Sequence, residues 1–176
     1  HDAGARATII ALHGWTMGDQ RINSLAFLPG VLYQLGYDIV LVELPYHGRR
    51  REQQKGGIAF PSADAVLTNE AVAQILCELR ELRMHLEARG APPIGCAGMS
   101  LGGYLAALWG TLDPLHFAVP IVPVAAFGDL AWRLLVESGD AGRIAARGVS
   151  RELVQELFAV HSPLSMRPKT PRERVL

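Results

Sequence analysis

The 176-residue chain carries 17 basic and 17 acidic side chains, and 49% of it is hydrophobic against 19% charged. That composition excludes a disordered tail, a collagen-like repeat and a coiled coil, and balanced charge gives no basic face for a nucleic acid. The length fits one domain over residues 1–176, no apolar run reaches the ~18–20 residues of a membrane span, and Cys77 and Cys96, without metal-ligand spacing, fit a reducing, cytoplasmic setting.

Thr8 to Leu12 is a short apolar run ending at His13-Gly14, the pattern of a strand buried on both faces. Asp38 to Glu43 is a second such run, closed by Pro45. Helical spacing between them spans Ser24 to Leu35, its regular part starting near Pro29 and Gly36 standing as the cap. Arg49 to Pro61 is polar and glycine-bearing, and predicts a surface loop.

From Asp64 to Arg89 the residues Val72, Ile75, Leu76, Leu79, Leu82 and Leu86 form one apolar stripe, which predicts a long helix capped by Ser62 or Asp64 and stopped by Gly90. Pro93 to Gly98 is a third strand, and Gly102 to Leu112 a helix of small residues. Ala118 to Val124 is a fourth strand, interrupted by two prolines. Helices over Ala131–Arg147 and Arg151–Val160 follow, and Arg174-Val175-Leu176 reads as a strand just beginning. Alternation of strands and helices predicts an α/β fold with a doubly wound, mostly parallel sheet flanked by helices. The start at His1 without Met and the stop in an apolar run read as a piece of something longer, so a removed signal peptide stays open.

The chemistry concentrates in Gly98-Met99-Ser100-Leu101-Gly102, a G-x-S-x-G sequence between a strand and a helix and followed by Gly103. A serine on so tight a turn needs small neighbours, and the helix N-terminus behind it favours negative charge on an attacked group. The bland alternative is a glycine-rich turn whose serine caps the helix. His13-Gly14-Trp15-Thr16-Met17-Gly18, at the end of the first strand, is a second signal. Its Trp15 N–H, with Thr16 next in order, pairs with the N–H of Leu101 as an oxyanion hole. His13 reads as the residue that pins this loop beside the substrate.

The HG loop and the G-x-S-x-G turn resemble the α/β-hydrolase superfamily, and Glu43-Leu44-Pro45-Tyr46-His47-Gly48-Arg49-Arg50 resembles the D/E-x-P-x-x-G-x-R turn of many members. With the run through Gln53, the sequence is most like the α/β-hydrolase domain-containing 18-type branch. Prolyl-oligopeptidase-like and dienelactone-hydrolase-like esterases share several of these features. The similarity runs over nearly the whole chain, from the family's third strand to the start of its seventh.

The resemblance implies a serine hydrolase acting on a small-molecule carboxylic ester or related acyl compound, with Ser100 as nucleophile and no metal or organic cofactor. It also implies an acid after the seventh strand and a histidine after the eighth, both beyond Leu176. Within the chain Ser100, Asp129 and His161 stand in the family's order, while His116 and His85 read as a loop residue and a solvent-facing helical one. Tyr46 and Arg49 are the expected substrate contacts at the pocket rim, with packing the alternative for Tyr46 and His47. Arg49, Arg50, Arg51 and Lys55 make a basic run that either meets an acidic substrate or is simply solvated. Residues 128–165, including Trp132, Leu134, Leu135 and Val136, are the place for a lid, or else complete the core. Two further readings use the same residues: a non-catalytic binding module, and an acyltransferase.

Overall fold

The computed structural model describes residues 4–51, 60–62 and 64–176; Gln53 and Lys55 lie outside them. Four parallel strands, β1 (Thr8–Leu12), β2 (Asp38–Val42), β3 (Ile94–Met99) and β4 (Ala118–Ile121), form one sheet in the order β2-β1-β3-β4. The registers place Leu12 beside Val42 on one side and Gly98 on the other, and Met99 beside Ile121. Because β2 lies on one side of β1 and β3 on the other, the chain reverses direction across the sheet there. A crevice opens at such a switch point, outside the carboxyl ends of the strands, where open α/β sheets place their ligands. β1 is buried along its whole length, as its unbroken apolar run predicts.

The helices sort by capping chemistry. α1 (Gln20–Phe27) starts four residues earlier than the spacing suggests, because Asp19 accepts the Arg21 N–H at 2.8 Å. It stops at Leu28, whose φ of 46° turns the chain into α2 (Pro29–Gln34). The single helix expected over 24–35 is therefore two short ones. α3 (Ala65–Ala88) is the predicted long helix, capped by Asp64 at Leu67 N and followed by Gly90 in the left-handed region. Its Val72, Ile75, Leu76 and Leu79 are buried, with Leu82 and Leu86 packed against the core's edge, and His85 is exposed as expected.

α4 (Leu101–Leu112) shares a buried layer with α3 on one side of the sheet, where Trp109, Tyr104, Leu105 and Leu108 meet Ile10, Leu12, Ile75 and Cys96. Burial of the Cys96 thiol pushes it up to about 12, which leaves it a core residue without nucleophilic character. β4 ends at Ile121, short of the expected Val124, because Val122 turns to φ 43°. The helix expected over 131–147 divides into α5 (Phe127–Glu137) and α6 (Ala141–Ala145), since Gly139 takes φ 77°. α7 (Arg151–Ala159), capped by Ser150, packs against α5 through Phe127 and Phe158, whose ring centroids are 5.2 Å apart. In place of a final strand, Arg172–Arg174 is a 3-10 turn and Val175 makes a single parallel bridge to Ala118.

Candidate active site

Ser100 stands between β3 and α4 with φ 54° and ψ −110°, a conformation that L-residues seldom hold. Close packing imposes it. A Cβ on Gly98 would lie 2.0 Å from the carbonyl oxygen of Gly102, and one on Gly102 would lie 1.9 Å from that of Leu12. A Cβ on Gly103 would meet the Ile121 carbonyl oxygen at 2.6 Å. The glycines of the motif therefore let α4 touch β1 and β4, and Ser100 is the hinge. Its N–H donates to Ile121 O at 3.0 Å, its carbonyl accepts from Tyr104 N at 2.9 Å, and its side chain does not cap the helix. The capping alternative is thus removed, and Ser100 is exposed at the carboxyl end of β3. Tyr46 (φ 64°) and Val122 (φ 43°) hold the same left-handed region at the ends of β2 and β4, so three strained side chains ring one edge of the sheet.

The loop after β1 lies against this serine: a Cβ on Gly14 would stand 3.7 Å from Ser100 Cβ. Met17 N donates to Gly14 O at 3.1 Å, closing a turn whose central residues, Trp15 and Thr16, keep their own amides out of that bond. His13 is fully buried. Its Nε2 accepts the Leu44 N–H at 3.1 Å, so Nδ1 carries the proton and donates to Gly14 O at 2.8 Å. Burial pushes its pKa down to about 4, and the ring stays neutral. His13 therefore pins the loop, as expected, but with no accessible surface and both nitrogens engaged it is no substrate contact. His47, 5% exposed, sits edge-on to it with ring centroids 4.9 Å apart.

The comparisons with known proteins match this frame. The model of the family described as "alpha/beta hydrolase domain containing 18" matches residues 3–132. The chain belongs to that family. The uncharacterised Mycobacterium tuberculosis protein Rv2627c is 30% identical over 170 residues, covering 94% of this chain. The chain spans 40% of the length of that relative. Among solved structures, TT1662 of Thermus thermophilus superposes with a TM-score of 0.55 at 21% identity, over 98% of this chain and 78% of that one. The esterase PF2001 of Pyrococcus furiosus gives 0.53 at 19% identity, over 89% and 54%. A bacterial brefeldin A esterase gives 0.51 at 19%, over 92% and 44%. These structures share the α/β-hydrolase fold.

The other sequence candidates fall into place on this family's sheet. Asp129, on the first turn of α5, is half-buried and bound to Arg151 Nη2 at 2.8 Å and Gln155 Nε2 at 2.7 Å; the Arg151 contact holds its carboxyl below the usual range. His161 makes no bond to it. Its Nε2 donates to Asn69 Oδ1 at 2.8 Å, and the Tyr104 hydroxyl meets both its Nδ1 and its carbonyl oxygen. Its ring lies among Tyr104, Phe127 and Phe158, so the imidazole ties the segment after α7 to α4 and α3, and burial lowers its pKa. The order Ser100, Asp129, His161 is present in sequence and is not assembled in space. His116 is exposed before β4 begins, at the opposite edge of the sheet from Ser100.

Arg49 is exposed on the 3-10 turn Gly48–Arg51, and Tyr46 is half-buried against Phe60, ring centroids 6.3 Å apart. The engaged arginine of the run is Arg50, which forks onto Glu78 of α3 with two bonds of 2.7 Å and reaches Glu43 O at 3.1 Å. Trp15 is 40% exposed, and the Leu101 amide opens α4, where helix amides lack intrahelical partners. Trp132 packs against the core while Leu134 and Val136 are exposed. Among the described residues no cluster of His, Cys, Asp or Glu could hold a metal ion, and no helix is long and apolar enough to cross a membrane. The sequence places His47 near the pocket rim, with packing weighed as its role. No periodicity marks a ring that reaches across 32 residues to another loop.

Proposed function

We propose that the protein is a serine hydrolase of carboxylic esters or related acyl compounds, with Ser100 as nucleophile. The exposed, strained Ser100 at the head of α4, 3.7 Å from a Cβ placed on Gly14, carries this reading. Its Oγ adds to the acyl carbonyl, and the negative charge on the carbonyl oxygen meets the N–H groups of Leu101 and Trp15. Such preorganised donors gain their strength where water is excluded, and the loss of one typically costs about 10²–10³-fold in rate. The Ser100 proton passes to a histidine base and from it to the departing alcohol; water then adds to the acyl-serine and releases the acid.

That histidine and its acid lie outside the described residues in this reading, because the ring nitrogens of His13 and His161 are already engaged and His116 is at the far edge. The segment from α5 to α7 caps the acyl group, and Tyr46 and Arg49 sit at the rim. The reaction calls on no metal or organic cofactor, and the substrate is a small acyl molecule in an aqueous, cytoplasmic setting. Hydrolysis of a series of p-nitrophenyl esters by the full-length protein and its Ser100→Ala variant tests this. Turnover lost in the variant is the expected result; equal turnover in both overturns the assignment.

A further inference from the structure

Around the candidate oxyanion loop, two turns from different strands grip each other. A Cβ on Gly18 would lie 2.8 Å from Gly48 N and 2.9 Å from His47 Cβ, and one on Gly48 would lie 2.6 Å from Gly18 O. The loop after β1 and the turn after β2 are therefore in backbone contact, and both residues hold positive φ. The turn itself is fixed from below: Glu43 Oε1 accepts the Arg50 N–H at 3.1 Å, and Arg50 is forked onto Glu78 of α3. From this anchored turn the His47 ring reaches across, with Nε2 2.7 Å from Trp15 O and Nδ1 2.9 Å from Pro45 O; both partners are acceptors, a neutral ring donates to one of them, and the shorter contact is the one to Trp15.

We propose that His47 is a positioning residue, which donates from Nε2 to the Trp15 carbonyl and so fixes the Trp15–Thr16 peptide in the loop that lies beside Ser100. In a trans peptide the C=O and the following N–H point in opposite directions. A clamp on Trp15 O thus aims the Thr16 N–H away from His47. His13, by holding Gly14 O, aims the Trp15 N–H in the same manner. Two buried rings in edge contact then hold two consecutive peptides of one loop, so the loop that carries the Trp15 donor is fixed from the second strand's turn as well as the first. The anchor through Arg50 and Glu78 carries this dependence on to α3. The inference rests on the proposed hydrolase reading for its catalytic consequence, while the clamp itself is a property of the loop.

The test uses the full-length protein and three variants. Gln places an amide nitrogen near the position of Nε2, Asn near that of Nδ1, and Leu keeps the bulk without a donor. His47→Leu and His47→Asn are expected to lower kcat for a p-nitrophenyl ester by about 10–100-fold, short of the full loss of an oxyanion donor. KM should stay within about two-fold, while His47→Gln recovers most of the rate; a merely structural role would not separate Gln from Asn. Amide exchange at residues 14–18 should quicken in the Leu and Asn variants and not in Gln. In the wild type, nitrogen NMR of the ring should show a protonated Nε2, a measurement that needs no variant. An unprotonated Nε2, or Gln and Asn variants equal in rate and in loop exchange, overturns the clamp. A wild type without esterase activity defeats the hydrolase reading alone, since the ring and exchange measurements still decide for or against His47.

Discussion

Gly102→Ala is the sharpest probe of the packing at the Gly98–Gly102 turn. The added methyl would lie 1.9 Å from Leu12 O, 2.4 Å from Leu12 C and 2.8 Å from His13 O. An ordinary carbon–oxygen contact needs about 3.3 Å, so the start of α4 must move off β1 by more than an ångström. All three atoms are backbone, and no side chain can rotate aside to make room. Overpacking of this kind costs about 1–3 kcal/mol, here toward the upper end, and the better helix propensity of alanine returns about 1 kcal/mol. The net loss is about 2 kcal/mol, which shifts a urea midpoint by roughly 1 M. Gly142→Ala in α6 is the control, because nothing lies within 4 Å of its Cβ position, and it should stabilise by about 0.5–1 kcal/mol. The same substitution thus has opposite signs at the two sites. Urea unfolding followed by circular dichroism reads both. A Gly102→Ala protein as stable as the wild type would refute the close approach of α4 to β1.

The remaining predictions concern pH and strain. His13 is held neutral with its pKa near 4, whereas the unfolded chain takes up that proton near 6.5. The unfolded state binds more protons between those values, so stability falls as pH drops from about 6.5 to 4, by up to roughly 3 kcal/mol. Lowered His161 acts in the same direction, and a urea midpoint that stays flat from pH 7.5 to 4.5 would contradict the buried neutral rings. Val122 is 77% exposed at φ 43°, so Val122→Gly sheds strain of about 1–2 kcal/mol at an entropic cost of about 0.5–1, while Val122→Ala keeps the strain. The glycine variant should melt higher than the alanine variant; the reverse order would show that the turn is unstrained.

Much of the fold was legible because its signals are local. The unbroken apolar runs of β1 and β3 mark strands buried on both faces, and the α3 stripe at three- and four-residue steps can only be a helix. Gly98-Met99-Ser100-Leu101-Gly102 with Gly103 announces a steric requirement that the close approaches at Leu12, Gly102 and Ile121 bear out. What escaped the sequence is non-local or is set by a single torsion. Leu28 and Gly139 break helices through positive φ, and the apolar pattern continues past both. Asp129 and His161 stand in the expected order, but Arg151 and Tyr104 claim them. His13 reads from the sequence as a loop-pinning residue beside the substrate; only the 31-residue reach to Leu44 shows that it is sealed below the loop.

The central claim is that Ser100 is an activated nucleophile, and a covalent adduct tests it most directly. Full-length protein treated with a fluorophosphonate should gain one phosphonyl group by intact mass, mapped to the peptide that contains Ser100, and Ser100→Ala should gain none. An unlabelled wild type, or a label that maps elsewhere and survives Ser100→Ala, contradicts the account.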